Sequence, residues 1–275
     1  MGNYSKFDLV FEKKAFTKVI KELNIKYEII FKYDLYSEEK FQANSNLEEL
    51  ISKLNNNTQF LNFSVGIEFD LDDKIFLYHL SEFIEDLLNN QKLNEDYYEI
   101  FYPIFLKLLE MNESTFEELF EVYYLINNNL FNCLKTISNE NKEYFRKYWE
   151  EITHYLKIKK SIIFFDGFLT VYQNYINLSL IGWGSNERNL FQESFSIRNG
   201  FSKLLKLNNG LIGYFTTELS NFYQLFYLKG KELVDMENSS NWILGELLDN
   251  KDNFEKFILE IEKNPSEIIK RLGIN

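Results

Sequence analysis

The run Phe60-Leu61-Asn62-Phe63-Ser64-Val65-Gly66-Ile67-Glu68-Phe69-Asp70-Leu71, followed by Asp72-Asp73-Lys74-Ile75-Phe76, decides how the chain is read. Leu61, Phe63, Val65, Ile67, Phe69 and Leu71 take alternate positions, and successive side chains of a strand point to opposite faces. After Asp72 the period changes, and Phe76, Leu80, Phe83, Ile84, Leu87 and Leu88 recur at helical spacing. Asp72 or Asp73 is the natural cap, because a carboxylate accepts N–H groups that a helix start leaves unbonded. A strand running into a capped helix puts the chain among the mixed folds.

Towards the N-terminus, Lys6 to Phe11 alternates as a strand. Lys13 to Leu23 carries Phe16, Val19, Ile20 and Leu23 at helical spacing, and Ile25 to Tyr36 is strand-like. Asn46 is placed to cap a short helix through Leu54. Towards the C-terminus a second helix carries Tyr97, Phe101, Ile104, Phe105, Leu108 and Leu109, and Pro103 should kink it or mark its first turn. Ser114 opens a third, with Glu117 three residues on as a capping box and a stripe from Leu119 through Ile126 to Leu134. A fourth, from about Ser138, presents Phe145, Tyr148, Trp149, Ile152, Tyr155 and Leu156.

Strands then return at Ser161 to Tyr172, Tyr175 to Trp183, Gly210 to Glu218 and Phe222 to Leu228, the last two joined through Ser220-Asn221. A short strand near Lys231 to Met236 follows a turn at Gly230, and helices over Asn253 to Glu262 and Pro265 to Leu272 close the chain. The expected fold is α+β. Two mixed α/β lobes with largely antiparallel strands, residues 1–72 and 159–275, flank an acidic helical block, residues 73–158. Leu61-Asn62-Phe63-Ser64-Val65 is echoed by Ile176-Asn177-Leu178-Ser179-Leu180, so segments 61–90 and 176–205 are candidates for a repeat, although no fixed period supports one.

The 275 residues are 17% aromatic, with only two prolines, which excludes a disordered chain and disfavours a loop-dominated all-β fold. Cys133 is the one cysteine, so no internal disulfide and no cysteine zinc site is expected, and its apolar neighbours suggest a buried, inert thiol. No run reaches transmembrane length and no charged-then-apolar leader is visible, so a cytoplasmic protein is expected. The net charge of −12 is local. Residues 1–67 and 152–275 are each balanced, whereas residues 68–151 hold nineteen acidic and seven basic side chains.

The densest acidic stretch is Glu110, Glu113, Glu117, Glu118 and Glu121, with no Lys or Arg between Leu108 and Leu134. On a helix Glu113, Glu117 and Glu121 would stack along one face, where like charges repel. Such a stripe would repel nucleic acid and attract a basic surface. A second candidate is Glu68, Asp70 and Asp72, whose alternation would put three oxygen ligands for a divalent ion on one strand face. Arg188 and Arg198 follow the turn Gly182-Trp183-Gly184-Ser185 and are candidates for an anion or partner contact. His79 and His154 are the only histidines, too few for a histidine-rich metal site, and no HExxH, GxSxG, GxxxxGK[ST] or GxGxxG pattern occurs.

These features lead us to expect a binding protein without catalysis and without a cofactor. It would be an acidic inhibitor, such as an immunity protein or another bacterial or phage conflict-system antagonist, of a basic nuclease or nucleic-acid-binding protein. The first alternative is a metal-dependent hydrolase or nuclease using Glu68, Asp70 and Asp72. The second is a structural or scaffolding subunit.

Overall fold

Strands from the first and last thirds of the chain share one sheet. The computed structural model describes residues 4–19, 21, 29–32, 41–42, 60–89, 93–111, 114–172, 174–183, 185–217, 220–233 and 251–272. The strands are β1 (Tyr4–Glu12), β2 (Ile29–Lys32), β3 (Phe41–Gln42), β4 (Phe60–Asp70), β5 (Lys160–Val171), β6 (Tyr175–Trp183), β7 (Gly210–Thr217), β8 (Ser220–Leu228) and β9 (Lys231–Glu232). They lie in the order β3-β2-β4-β5-β6-β1-β7-β8-β9, and each described register is antiparallel. Among the described residues a 3-10 turn at Lys13–Ala15 runs into helical residues 16–19, and the further helices are α1 (Asp73–Leu88), α2 (Glu95–Glu110), α3 (Phe116–Cys133), α4 (Asn139–Ile158), α5 (Ser185–Glu193), α6 (Phe195–Leu207), α7 (Lys251–Lys263) and α8 (Pro265–Arg271). The fold is α+β, as the alternating and helical periods of the sequence require.

Two compact units make up the chain. One comprises Met1–Glu68, Ile162–Arg188 and Ile197–Asn275, and the other Phe69–Ser161 with Asn189–Ser196.

In the first unit β1 lies between β6 and β7, and both of its faces are covered. Phe7, Leu9 and Phe11 are fully buried on one face, where the Phe7 ring lies 4.7 Å from Phe201 of α6 and 5.2 Å from Phe215. Val10, on the other face, joins Tyr175, Ile212, Phe257, Ile258 and Ile261 in a second core layer under α7 and α8. Each large side chain buried this way contributes about 1.5–3 kcal/mol, so this doubly covered strand is a principal source of stability. The α6–β7 connection is tight: a Cβ on Gly210 would fall 2.8 Å from the Leu205 Cα, a contact only glycine avoids. The β8–β9 hairpin turns at Lys229 (φ 21°) and Gly230 (φ 83°), the positive values a type I′ turn needs.

In the second unit α1 packs against α2, α3 and α4. That central position explains why its Ile75, Phe76, Leu80, Phe83, Ile84 and Leu87 are buried over a wide arc rather than one narrow stripe. Trp149 of α4 closes the core. Its ring stacks on Tyr123 at 4.9 Å, and its indole N–H donates to Asn127 Oδ1 at 2.9 Å. Satisfying that N–H makes the burial of tryptophan favourable.

Several local expectations need correction. Of the two placements expected for Pro103, the structure has the one inside the helix, α2, and not the first turn. The proline is exposed, so the N–H it lacks leaves the freed carbonyl within reach of water. The cap of α3 is Thr115, with Glu118 as its reciprocal partner, not Ser114 with Glu117. The Ser114 hydroxyl instead donates to the Met111 carbonyl at 2.6 Å, at the end of α2. Ser220 and Asn221 belong to β8 rather than to a turn, and Ser220 pairs with Thr217 of β7. The strand expected over Ile25 to Tyr36 is described only at β2 and the one near Lys231 only at β9, since residues 25–28, 33–36 and 234–236 lie outside the described residues, as does the Asn46–Leu54 helix.

Candidate functional site

Glu110 ends α2, while Glu117, Glu118 and Glu121 open α3, and all four are exposed. Glu113 lies outside the described residues, so α3 carries two of the three carboxylates expected to stack. Glu118 acts locally, its carboxylate accepting from the Thr115 N–H at 2.8 Å. That backbone bond, with the Thr115 hydroxyl, holds the Glu118 carboxyl below its ordinary range. Acidic groups at this end also oppose the positive pole of the helix. Glu117 and Glu121 have no ion-pair partner among the described residues.

These carboxylates are interleaved with exposed apolar side chains. On α2, Tyr98, Tyr102, Leu106 and Leu109 are 41–47% exposed. On α3, Tyr124 and Phe131 are 58% and 57% exposed. At 100° per residue, Tyr98, Tyr102, Leu106 and Leu109 share an arc with Glu95, Glu99 and Glu110. Tyr124 and Phe131 likewise share an arc with Glu117 and Glu121. The Tyr98 and Tyr102 rings stack at 5.3 Å, which fixes them outward as a pair.

The carboxylates near the end of β4 are occupied differently. Asp70 pairs with Lys160 at 2.6 Å, and Lys74 with Glu193 at 3.0 Å. Asp72 lies beyond the strand and caps two helices at once. Its Oδ1 accepts from the Ile75 N–H at 2.8 Å, and its Oδ2 accepts from Ser194 Oγ at 2.7 Å and the Ser196 N–H at 3.0 Å. Glu68 remains exposed on β4. Among the described residues no three His, Cys, Asp or Glu side chains are grouped to hold a metal ion. Arg188 belongs to α5, its side chain outside the described residues, and Arg198 is half-buried on α6 with partners of its own.

Two buried polar groups stand out that composition does not announce. Asp8, fully buried in mid-β1, lies opposite Ser179 and Tyr214. Its Oδ1 accepts from Asn177 Nδ2 at 3.0 Å and from the Ser179 hydroxyl. Its Oδ2 meets the Lys6 ammonium at 3.0 Å, an ion pair outside hydrogen-bond angles. Burial, with Asp8 beside it, pushes the Tyr214 hydroxyl well above its ordinary range. In the other unit His79 Nε2 lies 2.5 Å from the Ser161 hydroxyl, and burial pulls the imidazole down to about 4. That pair resembles a base and its nucleophile, but both side chains are enclosed, Ser161 completely, so no substrate reaches the hydroxyl. His154 is exposed on α4. Cys133 is buried and free, and desolvation pushes its thiol up to about 12, away from the thiolate that reacts.

No protein-family model, no curated protein and no solved structure matches the chain. No helix among the described residues is long and apolar enough to cross a membrane.

Proposed function

We propose that the protein is a binding protein without catalysis, whose acidic helical unit docks a basic protein surface. An antagonist of a basic nuclease or nucleic-acid-binding protein, in the manner of an immunity protein, is the form of that activity the charge favours. One observation carries the reading: on α2 and α3 exposed carboxylates alternate with exposed tyrosine, leucine and phenylalanine. Exposed apolar patches rimmed by polar groups mark contact surfaces, and aromatic residues are enriched in them. The carboxylates would steer a basic partner, while the apolar side chains would supply the desolvated contact. The alternative metal site has no comparable support, since Asp70 and Asp72 are engaged in an ion pair and in helix capping.

The test is capture of a basic partner by the full chain, followed by titration across a range of salt. Glu117→Lys with Glu121→Lys should weaken association about tenfold or more and flatten its salt dependence. A partner bound equally well by this variant, at every salt concentration, would show that the acidic face is not the docking surface.

A further inference from the structure

We infer that the acidic face proposed above selects arginine over lysine, so that its partner presents an arginine-rich segment. The inference rests on that reading of the face and concerns which cation it takes. Its basis is a spacing that recurs on both helices. Glu95 precedes Tyr98 by three residues, Glu99 precedes Tyr102, and Glu121 precedes Tyr124. All six side chains are exposed. Residues three apart on a helix are surface neighbours, with Cβ atoms about 5–6 Å apart. Each pair therefore sets a phenol ring and a carboxylate one turn apart and open to solvent.

The two basic side chains answer this arrangement differently. A guanidinium is planar: it can lie on an aromatic face while its edge donates hydrogen bonds to a carboxylate. An ammonium is a compact, strongly hydrated charge, which pairs with the carboxylate but gains less from the ring. One Glu–Tyr pair would discriminate weakly; the two neighbouring pairs on α2 compound the preference, and the pair on α3 repeats it. The stacking of Tyr98 on Tyr102 strengthens the case, since those rings are already held and lose little freedom when a guanidinium settles on them. On α3 the Tyr124 ring is braced by Tyr123 at 5.5 Å and by Phe120 at 6.3 Å.

The experiment titrates the full-length chain with two synthetic peptides of equal length and charge, one of arginine and glycine, the other of lysine and glycine. The arginine peptide should bind tighter by about fivefold or more, the compounded effect of several exposed cation–aromatic contacts. Tyr98→Leu, Tyr102→Leu and Tyr124→Leu combined, which keep apolar area but remove all three rings, should bring the arginine peptide down to the affinity of the lysine peptide and leave the latter unchanged. Glu99→Gln with Glu121→Gln should weaken both alike. Equal affinities for the two peptides, or a preference that survives loss of the tyrosines, overturn the selection of arginine while the acidic docking face stands. Failure of both peptides to bind at low salt removes the face itself, and the inference with it.

Discussion

Asp8 shows what a single charge can demand of a sheet. Its carboxylate is wholly removed from water and answered by Lys6, Asn177 and Ser179. Asp8→Ala strips Asn177 and Ser179 of their buried acceptor, while Lys6, 30% exposed, can turn to water, so it should cost about 1–3 kcal/mol in chemical unfolding. Asp8→Asn, which keeps an acceptor, should cost less. His79 makes the opposite demand. An imidazole in the unfolded chain titrates at about 6.5, whereas burial in the fold brings it to about 4. Between those values the unfolded chain binds a proton that the folded one refuses. Stability should therefore fall as pH drops from about 6.5 towards 4, by up to about 3 kcal/mol, with little change above 6.5. Unfolding midpoints measured across that range should flatten in His79→Gln. An equally steep decline in the variant would assign the effect to other groups.

At the scale of elements, helix starts in this protein depend on unequal caps. Thr115 serves α3 alone, and Thr115→Ala should cost about 1 kcal/mol. Asp72 accepts N–H groups from both α1 and α6, so Asp72→Ala should cost roughly twice as much, read as the larger fall in thermal midpoint. Much of this layer was legible in the sequence. The stripes of α1 to α4 follow helical spacing, β4 and β6 alternate, and Asp72 stands where a cap belongs. What was not legible has physical causes. Ser114 and Thr115 are equally able caps, and only the Met111 carbonyl, which takes the Ser114 hydroxyl, decides between them. Asp72's second helix lies more than a hundred residues away, beyond any local pattern. Asp8 takes a polar position in an alternating strand, a pattern that by itself belongs to a solvated face. A strand in the middle of a covered sheet has no wet side, and that depends on strand order, which periodicity does not carry.

At the scale of the whole molecule, the α+β class and the location of the charge could be read from the chain, but the order of its strands could not. The acidic face was only half visible: its carboxylates are plain in the sequence, whereas the exposure of Tyr98, Tyr102 and Tyr124 depends on which arc of each helix the core takes. The place of β1 carries a further consequence, for synthesis. Its pairing with β6 joins residues 163 to 179 positions apart. At about 5–20 residues per second, a ribosome takes about 10–35 s to deliver that partner. Throughout that interval Phe7, Leu9 and Phe11 leave the exit tunnel with neither flanking strand yet made. An early arrest of translation would thus release a sticky, unpaired segment, while completion of the C-terminal strands is the event that sequesters the beginning of the chain.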